Sequence, residues 1–150
     1  MKLRMKLFPL LLSLLLGLAM PPALAEETTA EPTAAPEYTG YVYIEANGQF
    51  RWYPLALTPE ESYHITVRSV AEDGSELSNV IAITDTGVYM ESSTCENQNC
   101  VQEGTVTLEN RETRILSNYI LCLPQQVVVQ LYSAEEFNQW YQAYIQSQAE

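Results

Sequence analysis

The chain has 150 residues, enough for one ordinary domain, and its 19 acidic side chains against 7 basic ones give a net charge of −12. All the acid lies beyond Ala25, where Arg51, Arg68, Arg111 and Arg114 are the only basic residues, so that part carries 4 basic against 19 acidic groups, a net −15. Binding to nucleic acid or to an anionic lipid surface depends on basic side chains displacing counterions, so both are excluded as partners.

Lys2, Arg4 and Lys6 precede an apolar run from Leu7 to Ala19, and Ala23-Leu24-Ala25 offers a small-residue cleavage site. This pattern predicts a secretory signal peptide over residues 1–25, and therefore a secreted or cell-surface protein. The apolar run is shorter than the roughly 20 residues a bilayer-crossing helix needs, so a retained anchor is the lesser alternative and no stable membrane span is expected after cleavage. Residues 26–37 begin EETTAEPTAAP, with no apolar periodicity; they read as a disordered tether, unable to bury enough surface to offset the entropy of ordering.

A β domain is expected over residues 38–132. Val42 and Ile44 alternate with tyrosines up to Asn47-Gly48, the pair that best accepts the positive φ angles of a type I′ hairpin turn, and Gln49 to Tyr53 forms the return strand. Pro54 and Pro59 break pairing, and Thr58-Pro59-Glu60-Glu61 reads as a loop, although it could begin a short helical turn. Tyr63, Ile65 and Val67 then alternate with His64, Thr66 and Arg68, a strand buried on one side with His64 on its polar face. Further strands are predicted at Val80–Thr84 and Val88–Glu91, joined by an Asp85-Thr86-Gly87 loop with glycine placed for a bulge. More follow at Thr105–Leu108, Thr113–Leu116, Tyr119–Leu123 and Val127–Leu131. Seven to nine short strands at this spacing predict a mainly β fold, a small antiparallel barrel or sandwich.

Residues 133–150 switch to helical periodicity. Ser133 with Glu136 three residues on makes a capping box, and Phe137, Trp140, Tyr141 and Tyr144 recur on one aromatic face. This C-terminal amphipathic helix is expected to pack against the strands and close an open end of the barrel; a partner-binding face is the alternative.

The candidate chemistry lies in three cysteines. Cys95 and Cys100 bracket four residues, and Cys122 follows near a strand end. In an exported protein the first expectation is one disulfide and one remaining thiol, with all three pairings open. The alternative is a zinc site on the three thiolates, completed by Asp85, Glu96, His64 or water; otherwise no cofactor is expected. Glu91, Glu96 and Glu103 surround the segment and should raise the thiol pKa values, which disfavours a reactive nucleophile. No serine sits in a nucleophile-elbow motif and no glycine loop is built to cradle phosphate, so an enzyme is not expected and a small hydrolase is the weakest reading.

Asp85-Thr86-Gly87-Val88-Tyr89-Met90, the run Ser93-Thr94-Cys95-Glu96-Asn97-Gln98-Asn99-Cys100-Val101 with Gly104, and Ile120-Leu121-Cys122-Leu123-Pro124 followed by Val127 to Val129 together resemble the NusG domain II family. The resemblance covers roughly Tyr38 to Tyr132, with its specific motifs from Asp85 onward. It implies a compact β-barrel-like module of the kind found in exported or envelope proteins of Gram-positive bacteria, and it implies no particular activity. The matched cysteines transfer only as structural or ligand positions. The expectation is therefore a non-catalytic surface module that binds a protein or an envelope component, with a cysteine-based metal or thiol redox module as the alternative.

Overall fold

The computed structural model describes residues 37–149. The expected signal peptide (residues 1–25) and nearly all of the expected tether (26–37) lie outside the described residues. Strand β1 (Gly40–Ala46) turns through Asn47 (φ 53°) and Gly48 (φ 71°) into β2 (Gln49–Pro54), the hairpin predicted from Asn-Gly. Pro59–Glu61, expected as loop, forms one 3-10 turn.

The chain then builds a meander. Strands β3 (Tyr63–Val70), β4 (Glu76–Ile83) and β5 (Gly87–Ser93) pair in sequence, and after a short helix α1 (Asn99–Gln102) the two-residue β6 (Val106–Thr107) adds to β5. Strands β7 (Tyr119–Cys122) and β8 (Val127–Ser133) return to the first sheet, where β8 pairs with β1, and helix α2 (Ala134–Gln148) follows. The result is two antiparallel sheets, ordered β2-β1-β8-β7 and β3-β4-β5-β6. They form a sandwich-like arrangement and no closed barrel.

Alternation decides which side chains meet between the sheets. Val42, Ile44, Ile120, Val127, Val129 and Leu131 from the first sheet share one core with Ile81, Ile83, Val88, Met90 and Val106 from the second. One polar pair is sealed within the protein: Asn79 Nδ2 donates to Gln125 Oε1 at 2.7 Å. The Tyr63 hydroxyl donates to the Pro54 carbonyl and links the two sheets at their edge.

Three local expectations change. Gly87 opens strand β5, and its conformation is not left-handed; a Cβ there would stand 2.1 Å from the Val106 carbonyl oxygen, so glycine is needed for the close approach of β6. The bulge falls instead at Glu91, because Val80 faces Ser92 while Ile81 faces Met90. No strand forms at Thr113–Leu116: Arg111–Thr113 makes a 3-10 turn, and Arg114 donates to the carbonyls of Glu103, Ser117 and Tyr119, satisfying groups a strand partner would otherwise take.

Helix α2 has its capping box, with Ser133 Oγ accepting from Glu136 N–H and Glu136 Oε2 accepting from Ser133 N–H. It closes no barrel end. It lies on the outer face of the first sheet because alternation turns Tyr41, Tyr43 and Trp52 outward there, an aromatic floor that water would otherwise cover. Phe137 stacks on Tyr41 (4.0 Å between ring centres) and meets Trp52 edge-on (5.0 Å), while Trp140 packs on Trp52 (4.8 Å). Tyr144 stacks on Trp140 and Tyr141 on Phe137, and both remain substantially exposed. Phe137 and Trp140 thus make the packing face, with Tyr141 and Tyr144 along its outer margin.

Candidate functional site

Three separate segments bring the cysteines together. Cys95 lies two residues past the end of β5, Cys100 sits in α1, and Cys122 ends β7. The loop between the first two is held by Gln98, which adopts a left-handed conformation (φ 51°) while its amide donates to the carbonyls of Ser93 and Cys95. Glu103, just past α1, ties that helix to β7 by accepting Leu121 N–H at 2.9 Å.

All three cysteines are buried, and their sulfurs lie within 4.8 Å of one another. Cys95 Sγ and Cys100 Sγ are 3.6 Å apart, beyond the length of about 2.05 Å that an S–S bond has, and no two of the three sulfurs are joined in this structure. The Ser93 hydroxyl donates to Cys95 Sγ at 3.1 Å and lies 3.8 Å from Cys122 Sγ.

The thiols are not equivalent. Burial pushes Cys100 up to about 12, with its two sulfur neighbours adding to the rise. At Cys95 burial also pushes upward, but hydrogen bonds from Ser93, the other two thiols and the Gln98 backbone outweigh it, and the thiol is held below its ordinary value. The general rise expected from nearby glutamates is therefore wrong for Cys95, because contacts within van der Waals range dominate over charges at the surface.

None of the three predicted fourth ligands joins the cluster; the ligand atoms that gather there are the sulfurs alone, among the described residues. Asp85 lies in the β4–β5 turn, at the opposite end of the seven-residue strand β5, about 20 Å away at the usual rise per residue. His64 Nε2 faces Glu91 Oε2 at 3.4 Å on an exposed part of the second sheet. Glu96 neighbours Cys95 in the chain, yet its side chain is exposed.

The sequence matches the model of NusG domain II over residues 10–135. The chain belongs to the NusG domain II family. Solved structures similar to it include a DUF1312 family protein of Enterococcus faecalis, 17% identical, covering 64% of this chain and 99% of its own, with a TM-score of 0.45. Others are a DUF1312 family protein of Ruminococcus gnavus (23% identical, 63% and 99% covered, TM-score 0.40) and the Lin0431 protein of Listeria innocua (18%, 64% and 98%, 0.46). No curated protein matches the sequence.

In this NusG domain II chain the residues read alone gave Ser93 no part in the site and gave Glu103 only a general electrostatic one. Ser93 sits among the sulfurs through the strand end that precedes Cys95, and Glu103 lines a cavity of about 170 Å3 together with Cys100, Cys122, Leu116, Leu121 and Pro124. Burial raises the Glu103 carboxyl above its ordinary value, with the Leu121 N–H and Arg114 pulling the other way. The sequence placed Glu103 beside the cysteine segment as one of three surrounding glutamates; that it accepts from Leu121 N–H and lines the cavity depends on β7, which the Cys-x4-Cys spacing does not locate.

Proposed function

We propose that this protein is an exported, non-catalytic β module that holds a soft metal ion, zinc in the first instance, on Cys95, Cys100 and Cys122. One observation carries the reading: three buried sulfurs from three chain segments converge within 4.8 Å. Tetrahedral zinc with Zn–S bonds of about 2.3 Å needs sulfurs about 3.8 Å apart, so small side-chain movements would close the site. Thiolates suit zinc or another thiophilic ion far better than magnesium or calcium. Export rests on the leader pattern over residues 1–25, and the strongly acidic surface fits a protein or envelope partner with no role on nucleic acid. No helix among the described residues is long and apolar enough to cross a membrane.

A second reading is a Cys95–Cys100 disulfide, favoured by the 3.6 Å approach of those sulfurs. The two are separated by purifying the exported chain without oxygen, counting thiols by alkylation and metal by elemental analysis. One zinc per chain, with three thiols that alkylate only after chelation and a stoichiometry lost in Cys122→Ser, is the expected outcome. A metal-free chain with one disulfide and one thiol would overturn it in favour of the second reading.

A further inference from the structure

We propose that the fourth coordination position of the bound ion opens into the cavity beside Cys100 and Cys122, and that it takes an imidazole whose free N–H is held by Glu103. This inference rests on the metal reading above. Zinc needs four donors, and three protein ligands with one open position are the mark of a site that exchanges a ligand, where structural sites are closed. The protein's nearest candidate is already occupied: the Ser93 oxygen accepts hydrogen bonds from Cys95 N–H (3.2 Å) and from Gln125 Nε2 (3.3 Å), which uses both its lone pairs.

The cavity selects among incoming donors. A cavity near 150 Å3 accommodates benzene, so about 170 Å3 is room for one small ring. Leu116, Leu121 and Pro124 supply apolar walls suited to a flat ring face. Three thiolates around a divalent zinc ion leave the site with a net charge of about −1, and the Glu103 carboxylate lines the cavity through which a fourth donor enters, so a neutral donor is favoured there over an anionic one. Imidazole is neutral. It offers one nitrogen to the metal and one N–H to the Glu103 oxygen that Leu121 leaves free, the carboxylate–imidazole–metal arrangement that orients histidine ligands generally. The imidazole could be free or belong to a histidine side chain of another protein.

The test uses the exported chain loaded with cobalt(II). Thiolate-to-cobalt absorption bands report the three-sulfur site; their absence overturns this inference together with the metal reading. With those bands present, imidazole is expected to shift the d–d bands saturably at one equivalent per metal without removing the charge-transfer intensity, while 2-mercaptoethanol at the same concentration leaves them unmoved. Glu103→Gln should weaken imidazole binding about tenfold, with the affinity expressed per bound cobalt. Asn99→Trp, which fills the cavity from its exposed wall, should abolish it. A Gly-Gly-His-Gly-Gly peptide binding as well as imidazole would place the donor on a partner protein, and binding by imidazole alone would place it on a free small molecule. Bands that fail to move with imidazole, or an imidazole affinity unchanged in both variants, would overturn the inference and leave the metal reading standing.

Discussion

Replacing Phe137 by alanine should undock helix α2 from the sheet. The Phe137 ring stacks on Tyr41 at 4.0 Å with an interplanar angle of 21° and meets Trp52 at 5.0 Å. Truncating a fully buried phenylalanine costs about 3–5 kcal/mol. Phe137 is only half-buried, so about 2 kcal/mol is expected from lost burial, and the aromatic pairs add about 0.5–1.5 kcal/mol. A 15-residue helix of this kind is marginal in water without tertiary packing, so its helical circular dichroism should fall with the contact. Tyr144→Ala is the control: its ring stacks on Trp140 at 5.2 Å and the residue is 42% exposed, so about 0.5 kcal/mol is expected. Urea denaturation followed by tryptophan fluorescence measures both. A Phe137→Ala loss below about 1 kcal/mol, or one no larger than that of Tyr144→Ala, would refute the assignment of Phe137 to the packing face.

Gly87→Ala should cost about 3 kcal/mol or more in the same assay, because its Cβ would meet the Val106 carbonyl oxygen at 2.1 Å. Gly48→Ala, strained by φ 71° but surrounded by open space, should cost about 1–2 kcal/mol; equal losses would refute the steric account. Asn79→Ala leaves the buried Gln125 carbonyl without its donor and should cost about 2–3 kcal/mol by denaturation, against less than about 1 kcal/mol if that hydrogen bond contributes nothing. Arg111→Gln removes the 2.6 Å ion pair with Glu136, worth about 1 kcal/mol after allowance for exposure of the carboxylate. The Arg111 hydrogen bond holds the Glu136 carboxyl below its ordinary value. Its contribution is therefore full above the unfolded value of about 4.3 and lost as pH falls through the lower folded value. The stability gap between wild type and Arg111→Gln should accordingly narrow below about pH 4. A pH-independent gap would sink that assignment.

Local signals were strong where one residue's backbone chemistry settles the matter. Asn47-Gly48 announced its hairpin, Ser133 and Glu136 their capping box, and alternation in β1 and β3 the faces that turn inward. The signals failed where another part of the chain competes for the same groups. Thr113–Leu116 has strand-forming residues, yet the Arg114 guanidinium takes the neighbouring carbonyls. Asp85-Thr86-Gly87 has a bulge composition, yet the glycine serves an approach by Val106 that arrives from 19 residues downstream.

The amino-acid order alone determined that this chain is acidic, strand-rich and ended by an aromatic helix, since charge, two-residue alternation and capping are properties of neighbours. Only the tertiary structure decided that the helix covers a sheet, that Asp85 and His64 stand apart from the sulfurs, that Ser93 sits among them, and that Glu103 lines the cavity beside them. Those outcomes depend on which strand ends share a rim, and strand pairing over long sequence separations is set by the burial of whole faces, which no local pattern specifies.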